Sequence, residues 1–140
     1  MKMSEILIKQ KEIQKFIDVL SFRKKIFWNF EIENYTATTQ NQSMIAHHHV
    51  PATFSAVHYI KFDNTEHLPT VFENMNPYID YIGTLYPNIL DVLSDDTSNS
   101  WIYPQYYPDV QEDDIIIFPS PLKHHIESSK SNSLRVTTAL

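Results

Sequence analysis

After residue 25 the chain is largely a succession of short strand-like segments, which are spaced too tightly for crossover helices. The clearest segment is residues 54–62, "FSAVHYIKF". Its alternating side chains are Phe54, Ala56, His58, Ile60 and Phe62 on one face, and Ser55, Val57, Tyr59 and Lys61 on the other. Parallel strands need long, usually helical, crossover connections. The close spacing therefore predicts a mainly β fold of antiparallel strands, either a β-barrel or a two-sheet jelly roll.

The other strand candidates differ in the environment that we expect for them. They are residues 26–35, 43–49, 68–73, 101–110, 115–118 and 133–140. Residues 115–118, "IIIF", are continuously apolar, which indicates a fully buried strand. Residues 101–110 are rich in aromatics and proline, which suits an edge strand or a packed loop. Because Gly83 is the only glycine, we expect Asn, Asp and Pro to form the turns.

One helix is predicted ahead of the strands. Ser4 is a typical N-cap residue, and apolar residues recur at helical spacing as far as Leu20. A chain of 140 residues without a linker is expected to form a single domain, with an N-terminal helix in residues 1–24 and a β-barrel core in residues 26–140. Residues 74–99 are irregular and polar, and we expect them to include a loop that covers a substrate.

Charge and composition limit the partners of the chain. Its formal charge is −6, whereas direct binding to nucleic acid or to an anionic membrane needs a clustered basic surface. The N-terminus becomes charged too early for a signal peptide, and no apolar run reaches the roughly 18 residues of a membrane span. We therefore expect a cytoplasmic protein with no direct nucleic-acid or membrane partner. The absence of cysteine excludes disulfides and thiolate metal sites.

Three consecutive histidines, His47, His48 and His49, directly precede the clearest strand. In an extended segment His47 and His49 share a face and His48 points away. Two imidazoles spaced in this way can converge on one metal ion. The same pattern also occurs on protein surfaces as a solvated turn, and the triplet alone does not separate the two interpretations.

A second group of polar residues follows the apolar run, in "IIIFPSPLKHHIESSKSNSLRVTTAL". The spacing between His124 and Arg135 suits the end of one strand, a turn and a return strand beside it. Arg135 is then expected to face the same cavity as His124, and His125 is expected to point away. A guanidinium inside a small barrel is costly unless it meets an anion, and its planar fork suits a carboxylate.

Three motifs in this order resemble the iron(II)- and 2-oxoglutarate-dependent oxygenases, especially a small phage and bacterial group. They are "HHH" followed by "SAVHY" at residues 55–59, "FPSPLKH" at residues 118–124, and "RVT" at residues 135–137. The resemblance implies a double-stranded β-helix, a jelly-roll fold similar to that of the cupins. It also implies a hydroxylase-type dioxygenase that uses Fe(II), 2-oxoglutarate and O2, located in the cytoplasm, including that of a virus-infected host cell.

Carried over by position, the resemblance assigns a role to six residues. His47 and His49 would be the proximal metal ligands, His124 the distal ligand and Arg135 the anchor for the distal carboxylate of 2-oxoglutarate. Thr137 and Tyr59 would also contact this cosubstrate. The substrate is expected to be a small molecule or a peptide, and the sequence does not indicate an oligomeric state.

The sequence departs from the family pattern at two places. His49 stands where the commonest pattern has Asp, so three imidazoles replace the set of two histidines and a carboxylate, and zinc becomes an alternative to iron. The chain also ends soon after Arg135, so either the barrel is trimmed or the sequence is incomplete. Two other functions stay open: a cupin-type three-histidine metalloprotein that does not use 2-oxoglutarate, and a non-enzymatic β-barrel that mediates interactions.

Overall fold

The computed structural model describes residues 3–79, 81, 88 and 102–140, with the backbone alone for residues 3–8. The chain divides into two compact units, Met1–Glu31 and Ile32–Leu140. The first unit contains α1 (Met3–Val19), close to the predicted helix. In this unit the indole N–H of Trp28 donates a hydrogen bond to the side chain of Gln14. Among the described residues, no helix has the length and apolarity needed to cross a membrane.

The second unit consists of strands that alternate between two antiparallel sheets. Its described strands are β1 (Asn34–Thr38), β2 (Met44–His47), β3 (Phe54–Lys61), β4 (Thr70–Glu73), β5 (Gln105–Tyr106), β6 (Ile115–Pro119), β7 (His124–Ile126) and β8 (Arg135–Ala139). One sheet has the order β1-β8-β3-β6 and the other has the order β2-β7-β4-β5. Successive strands from β1 to β4 and from β5 to β8 change sheet each time, which is the winding of a jelly roll. The predicted mainly β, jelly-roll fold is confirmed.

The core of the second unit lies between the two sheets. Its buried cluster is Val57, Tyr59, Phe62, Phe72, Val110 and Phe118. Alternation along β3 predicts that Phe62 lies on the face opposite Tyr59, but the two rings are in contact, with centroids 4.9 Å apart. The pairing of β3 with β8 shifts register between Tyr59 and Lys61. A bulge of this kind changes which face the following residues occupy, and so brings Phe62 into the core.

The prediction of a strand over residues 26–35 is wrong for most of that segment. β1 begins only at Asn34, and residues 26–33 form no strand. The Phe27 side chain is 88% exposed. Strand propensity largely reflects packing against neighbouring strands and burial, so an aromatic, β-branched sequence is not sufficient by itself to form a strand.

Two further predictions about the strands are corrected. The run "IIIF" lies in β6, at an edge of its sheet, and only Phe118 is buried while its three isoleucines are half-buried. The strand that carries Arg135 does not return beside His124, because β8 pairs with β1 and β3 in one sheet whereas β7 pairs with β2 and β4 in the other. The two side chains can therefore face each other only across the interior between the sheets.

The turns use residues that tolerate a left-handed backbone, as the shortage of glycine predicts. Asn41 has a φ of 61° and Asp113 a φ of 71°. The side chain of Asp63 accepts hydrogen bonds from the backbone N–H and the hydroxyl of Thr65, and these bonds lower the pKa of the Asp63 carboxyl. The predicted substrate-covering loop at residues 74–99 lies mostly outside the described residues.

Candidate metal centre

Three histidines from distant parts of the chain form one cluster. His47, at the end of β2, pairs directly with His124, at the start of β7, and His49 follows two residues after His47. The ring centroids are 4.4 Å apart for His47 and His124, 5.1 Å for His47 and His49, and 5.2 Å for His49 and His124. One ring nitrogen from each of the three lies within 4.8 Å of the other two.

The outer nitrogen of each ring is engaged by an oxygen acceptor. Nδ1 of His47 lies 2.9 Å from the carbonyl oxygen of Ile45, and Nδ1 of His124 lies 2.9 Å from that of Leu122. Nδ1 of His49 lies 2.9 Å from Oε2 of Glu33. Carbonyl and carboxylate oxygens can only accept, so each Nδ1 carries a hydrogen, and in the neutral imidazole Nε2 then keeps a lone pair. This is the tautomer in which a histidine binds a metal through Nε2.

The surroundings of His124 favour its neutral form. Burial lowers the pKa of His124 below its usual value, and the neighbouring His47 and His49 lower it further, although the hydrogen bond to Leu122 opposes this shift. The rings of Phe118 and Phe72 pack against His124, with centroids 4.9 Å and 5.8 Å away. These aromatic rings form an apolar wall beside the cluster. A neutral imidazole is the form that binds a metal ion.

The buried side chain of Arg135 is held by neutral acceptors. Only 3% of Arg135 is exposed. Its guanidinium donates to the Leu68 carbonyl and to the hydroxyls of Thr70 and Thr137, at 3.1, 3.2 and 3.4 Å respectively. The guanidinium carbon also lies 5.5 Å from the ring centroid of Tyr59. No carboxylate forms an ion pair with Arg135 within the described ranges of the chain, so its charge has no counterion there.

Strand β4 connects the arginine and the histidine cluster. Thr70, which accepts a hydrogen bond from Arg135, and Phe72, which packs against His124, are two residues apart on this strand. Residues at this spacing face the same side of a strand and lie roughly 7 Å apart. Arg135 and His124 therefore contact residues on the same face of β4.

The remaining residues singled out in the sequence fall into two groups. Tyr59 and Thr137 are buried beside Arg135, and the Tyr59 hydroxyl accepts a hydrogen bond from the backbone N–H of Thr70. His48 is exposed. His125 faces away from the cluster, where Glu73 and Glu127 lie within 4 Å of its two ring nitrogens. The structure thus separates His48 and His125 from the cluster, as the alternation predicts.

Four residues beside the site were not predicted from the sequence: Glu33, Thr70, Ser55 and Ser120. The hydroxyls of Ser55 and Ser120 are buried and 2.8 Å apart, and the Ser120 carbonyl accepts the backbone N–H of His49. Ser55 and Ser120 fall inside two of the motifs that resemble the oxygenase family, and this position could have marked them as candidate residues of the site. No local pattern indicates Glu33 or Thr70, because their contacts join segments that are distant in sequence.

A family model described as "Putative 2OG-Fe(II) oxygenase" matches residues 35–140. The chain belongs to the 2OG-Fe(II) oxygenase family. A search of curated proteins found no match. The family match begins one residue after the start of β1, extends through β8, and includes the three histidines and Arg135. An Fe(II) site and a 2-oxoglutarate site are what membership of the 2OG-Fe(II) oxygenase family implies, and the cluster of His47, His49 and His124 offers nitrogen donors suited to such a metal.

Proposed function

We propose that this protein is an iron(II)- and 2-oxoglutarate-dependent dioxygenase that hydroxylates a small molecule or a peptide. His47, His49 and His124 would hold Fe(II), and Arg135 would bind the distal carboxylate of 2-oxoglutarate. Thr137, whose hydroxyl lies 3.4 Å from the guanidinium, and Tyr59, whose ring lies beside it, would donate further hydrogen bonds to the same carboxylate. The family match and the histidine cluster support this assignment.

The observation that favours 2-oxoglutarate is the lack of a counterion for Arg135 among the described residues. Burial of a cation without a counterion costs on the order of several kcal/mol of free energy, because the ion loses its hydration. The burial of this guanidinium is large enough to lower its pKa, with the Tyr59 side chain acting in the opposite direction. A carboxylate would satisfy the fork bidentately and remove the cost. Arg135 thus has the environment of a residue that binds an anion.

Each group in the site then has a defined task. Fe(II), when bound, supplies the oxidation of a substrate C–H bond, using O2 and 2-oxoglutarate and releasing succinate and CO2. The imidazoles would fix the metal position, and the guanidinium would fix the orientation of the cosubstrate. The rings of Phe72 and Phe118 would exclude water from the side of the site where His124 lies.

The substrate class is inferred from charge. With a formal charge of −6, the chain lacks the excess of basic residues that unaided binding to a nucleic-acid backbone requires. A small molecule or a peptide side chain fits better, since binding of such a ligand depends on shape and on a few polar contacts rather than on net charge.

Anaerobic titration of the purified chain tests this proposal. Fe(II) followed by 2-oxoglutarate should produce a visible metal-to-ligand charge-transfer band, and admission of O2 should then release succinate. His124→Ala should abolish the band. The matched control His125→Ala should keep it, because this neighbouring side chain faces away from the cluster. Full iron loading of the wild type without a band would refute 2-oxoglutarate binding.

The three-imidazole donor set favours a second candidate, a cupin-type metalloprotein that binds Fe(II) or Zn²⁺ and does not use 2-oxoglutarate. In that case the same titration would give full metal occupancy and no response to 2-oxoglutarate. A non-enzymatic β-barrel would bind no stoichiometric metal at all. Elemental analysis of the purified protein separates this last case from the other two.

A further inference from the structure

The three imidazoles are held from outside by two different kinds of acceptor. For His47 and His124 the acceptor is the backbone carbonyl two residues earlier in the chain. For His49 it is a side-chain carboxylate, that of Glu33, at 2.9 Å. A backbone carbonyl is present whatever residue carries it, whereas the support of His49 depends on one side chain. Within the cluster, therefore, the orientation of His49 depends on a single side chain that substitution can remove.

The position of Glu33 is itself fixed by the fold. Its backbone N–H donates to the carbonyl oxygen of Ala139 at 3.0 Å, directly before β1 pairs with β8. The backbone N–H of His49 donates at 3.0 Å to the carbonyl of Ser120, in the segment after β6. Both ends of the contact between Glu33 and His49 are thus anchored by main-chain hydrogen bonds, one to β8 and the other to the turn after β6. These bonds fix the position at which the Glu33 carboxylate contacts the His49 ring.

The two partners differ in solvent exposure. The His49 side chain is 17% exposed and the Glu33 side chain is 57% exposed. One carboxylate oxygen accepts from the imidazole while much of the side chain stays in water, so the cost of desolvation is small compared with that of a buried pair. A hydrogen bond from a metal-binding imidazole to a carboxylate fixes the ring and makes the other nitrogen a better donor.

The negative charge of Glu33 is relevant because the proposed ligand set contains no carboxylate. His47, His49 and His124 are neutral ligands, and the set contains no carboxylate. A carboxylate among the ligands normally supplies negative charge to a divalent ion. Glu33 places a negative charge one imidazole away from the position that the ion would occupy.

We propose that Glu33 is the positioning residue of the metal site. It accepts the Nδ1–H of His49, directs Nε2 of that ring towards His47 and His124, and supplies from outside the ligand set the negative charge that a carboxylate ligand supplies from within it. This proposal rests on the proposed function only in requiring that the three histidines bind a divalent metal, and it does not require 2-oxoglutarate or turnover.

The test measures the affinity of the full chain for Co²⁺ and Zn²⁺ alone, by competition with a chromophoric chelator. Glu33→Ala should weaken metal binding by about 10-fold to 100-fold, the range seen when such outer hydrogen-bond partners are removed. Glu33→Gln should lose less, because its amide oxygen can still accept the hydrogen bond. The absorption spectrum of bound Co²⁺ should differ from that of the wild type in Glu33→Ala and return towards it in Glu33→Gln.

A matched control distinguishes the effect of the hydrogen bond between Glu33 and His49 on metal affinity from the long-range effect of a nearby negative charge. Glu31→Gln removes the same charge from an exposed glutamate two residues away, and it should leave metal affinity and the Co²⁺ spectrum unchanged. Thermal unfolding of the metal-free variants checks that each is folded. Equal affinities for Glu33→Ala and the wild type, or an equal loss in Glu31→Gln, would overturn the role of Glu33.

The two proposals can fail separately. If the wild type binds Co²⁺ and Fe(II) but does not respond to 2-oxoglutarate, the dioxygenase proposal fails, and the affinities of the Glu33 variants still decide the positioning role. If Glu33→Ala binds metal as tightly as the wild type and the charge-transfer band persists, the positioning role fails and the dioxygenase proposal stands. A wild type that binds no divalent metal would overturn both.

Discussion

Arg135 shows how much of this site depends on single side chains. Its guanidinium lies within a nearly closed environment and is bonded to a backbone carbonyl and to the hydroxyls of Thr70 and Thr137. These neutral acceptors hold the fork in place but leave its charge without compensation among the described residues. Under the proposed function, the side chain would be oriented in advance for a carboxylate, which would reduce the entropy lost on binding.

Arg135→Lys tests this orientation while keeping the charge. A lysine ammonium cannot form the bidentate contact, so the affinity for 2-oxoglutarate should fall by about 10-fold to 100-fold, equivalent to roughly one to two charge-assisted hydrogen bonds. Metal affinity should not change. Isothermal titration of metal into the metal-free protein and of 2-oxoglutarate into the metal-loaded protein measures the two affinities, with the exposed Arg23→Lys as control. An unchanged affinity for 2-oxoglutarate would show that Arg135 does not bind it.

At the level of elements, the cluster depends on how two short strands and a turn are joined. β7 has only three residues, and its alternation places His124 and Ile126 inside, with His125 outside. The turn before it contains Ser120, which is fully buried and hydrogen-bonded to Ser55 of β3. Because the Ser120 carbonyl also accepts the backbone N–H of His49, one residue connects β3, the turn and the histidine segment.

Ser120→Ala should destabilise the second unit, because it leaves the buried hydroxyl of Ser55 without its partner. We expect a loss of about 1–3 kcal/mol in the free energy of unfolding, measured by urea denaturation. The double variant Ser55→Ala/Ser120→Ala should cost no more than the single one, because no unpaired hydroxyl remains. The exposed Ser43→Ala should stay within about 0.5 kcal/mol of the wild type. Additive losses in the double variant would argue against the Ser55–Ser120 bond.

At the level of the whole molecule, every residue assigned to the site lies in the second compact unit. This unit spans Ile32–Leu140, and the family match spans residues 35–140. The histidines, Arg135 and Glu33 all lie in the second unit, and Glu33 precedes the first residue of the family match. The first unit contains α1 and contributes none of these side chains.

A fragment of residues 32–140 should therefore fold and bind divalent metal as tightly as the full chain. Chelator competition measures the affinity, and circular dichroism verifies the β structure. The same fragment carrying His124→Ala is the negative control and should bind no metal. A folded fragment with much weaker metal binding would mean that the first unit supports the site, and it would favour the prediction of a single domain over residues 1–140.

The sequence by itself determined the features that depend on local periodicity. Helical spacing located α1, and strand alternation placed His47 and His49 on one face and set His48 and His125 apart. Motif order identified the family. These predictions succeed because the direction of a side chain within a helix or strand follows from backbone geometry over a few residues. The same reasoning failed at residues 26–33, which form no strand although the segment is aromatic and β-branched.

Only the tertiary structure decided which segments meet. It paired His47 with His124, put β7 and β8 in opposite sheets, and brought Glu33 to His49 and Thr70 to Arg135. The register shifts in β2 and β3 also come from pairing with other strands. Such contacts join residues far apart in sequence, and they are selected by the burial of the whole core rather than by any local pattern. The candidate donor atoms can therefore be identified from the sequence, whereas their convergence depends on the folded jelly roll.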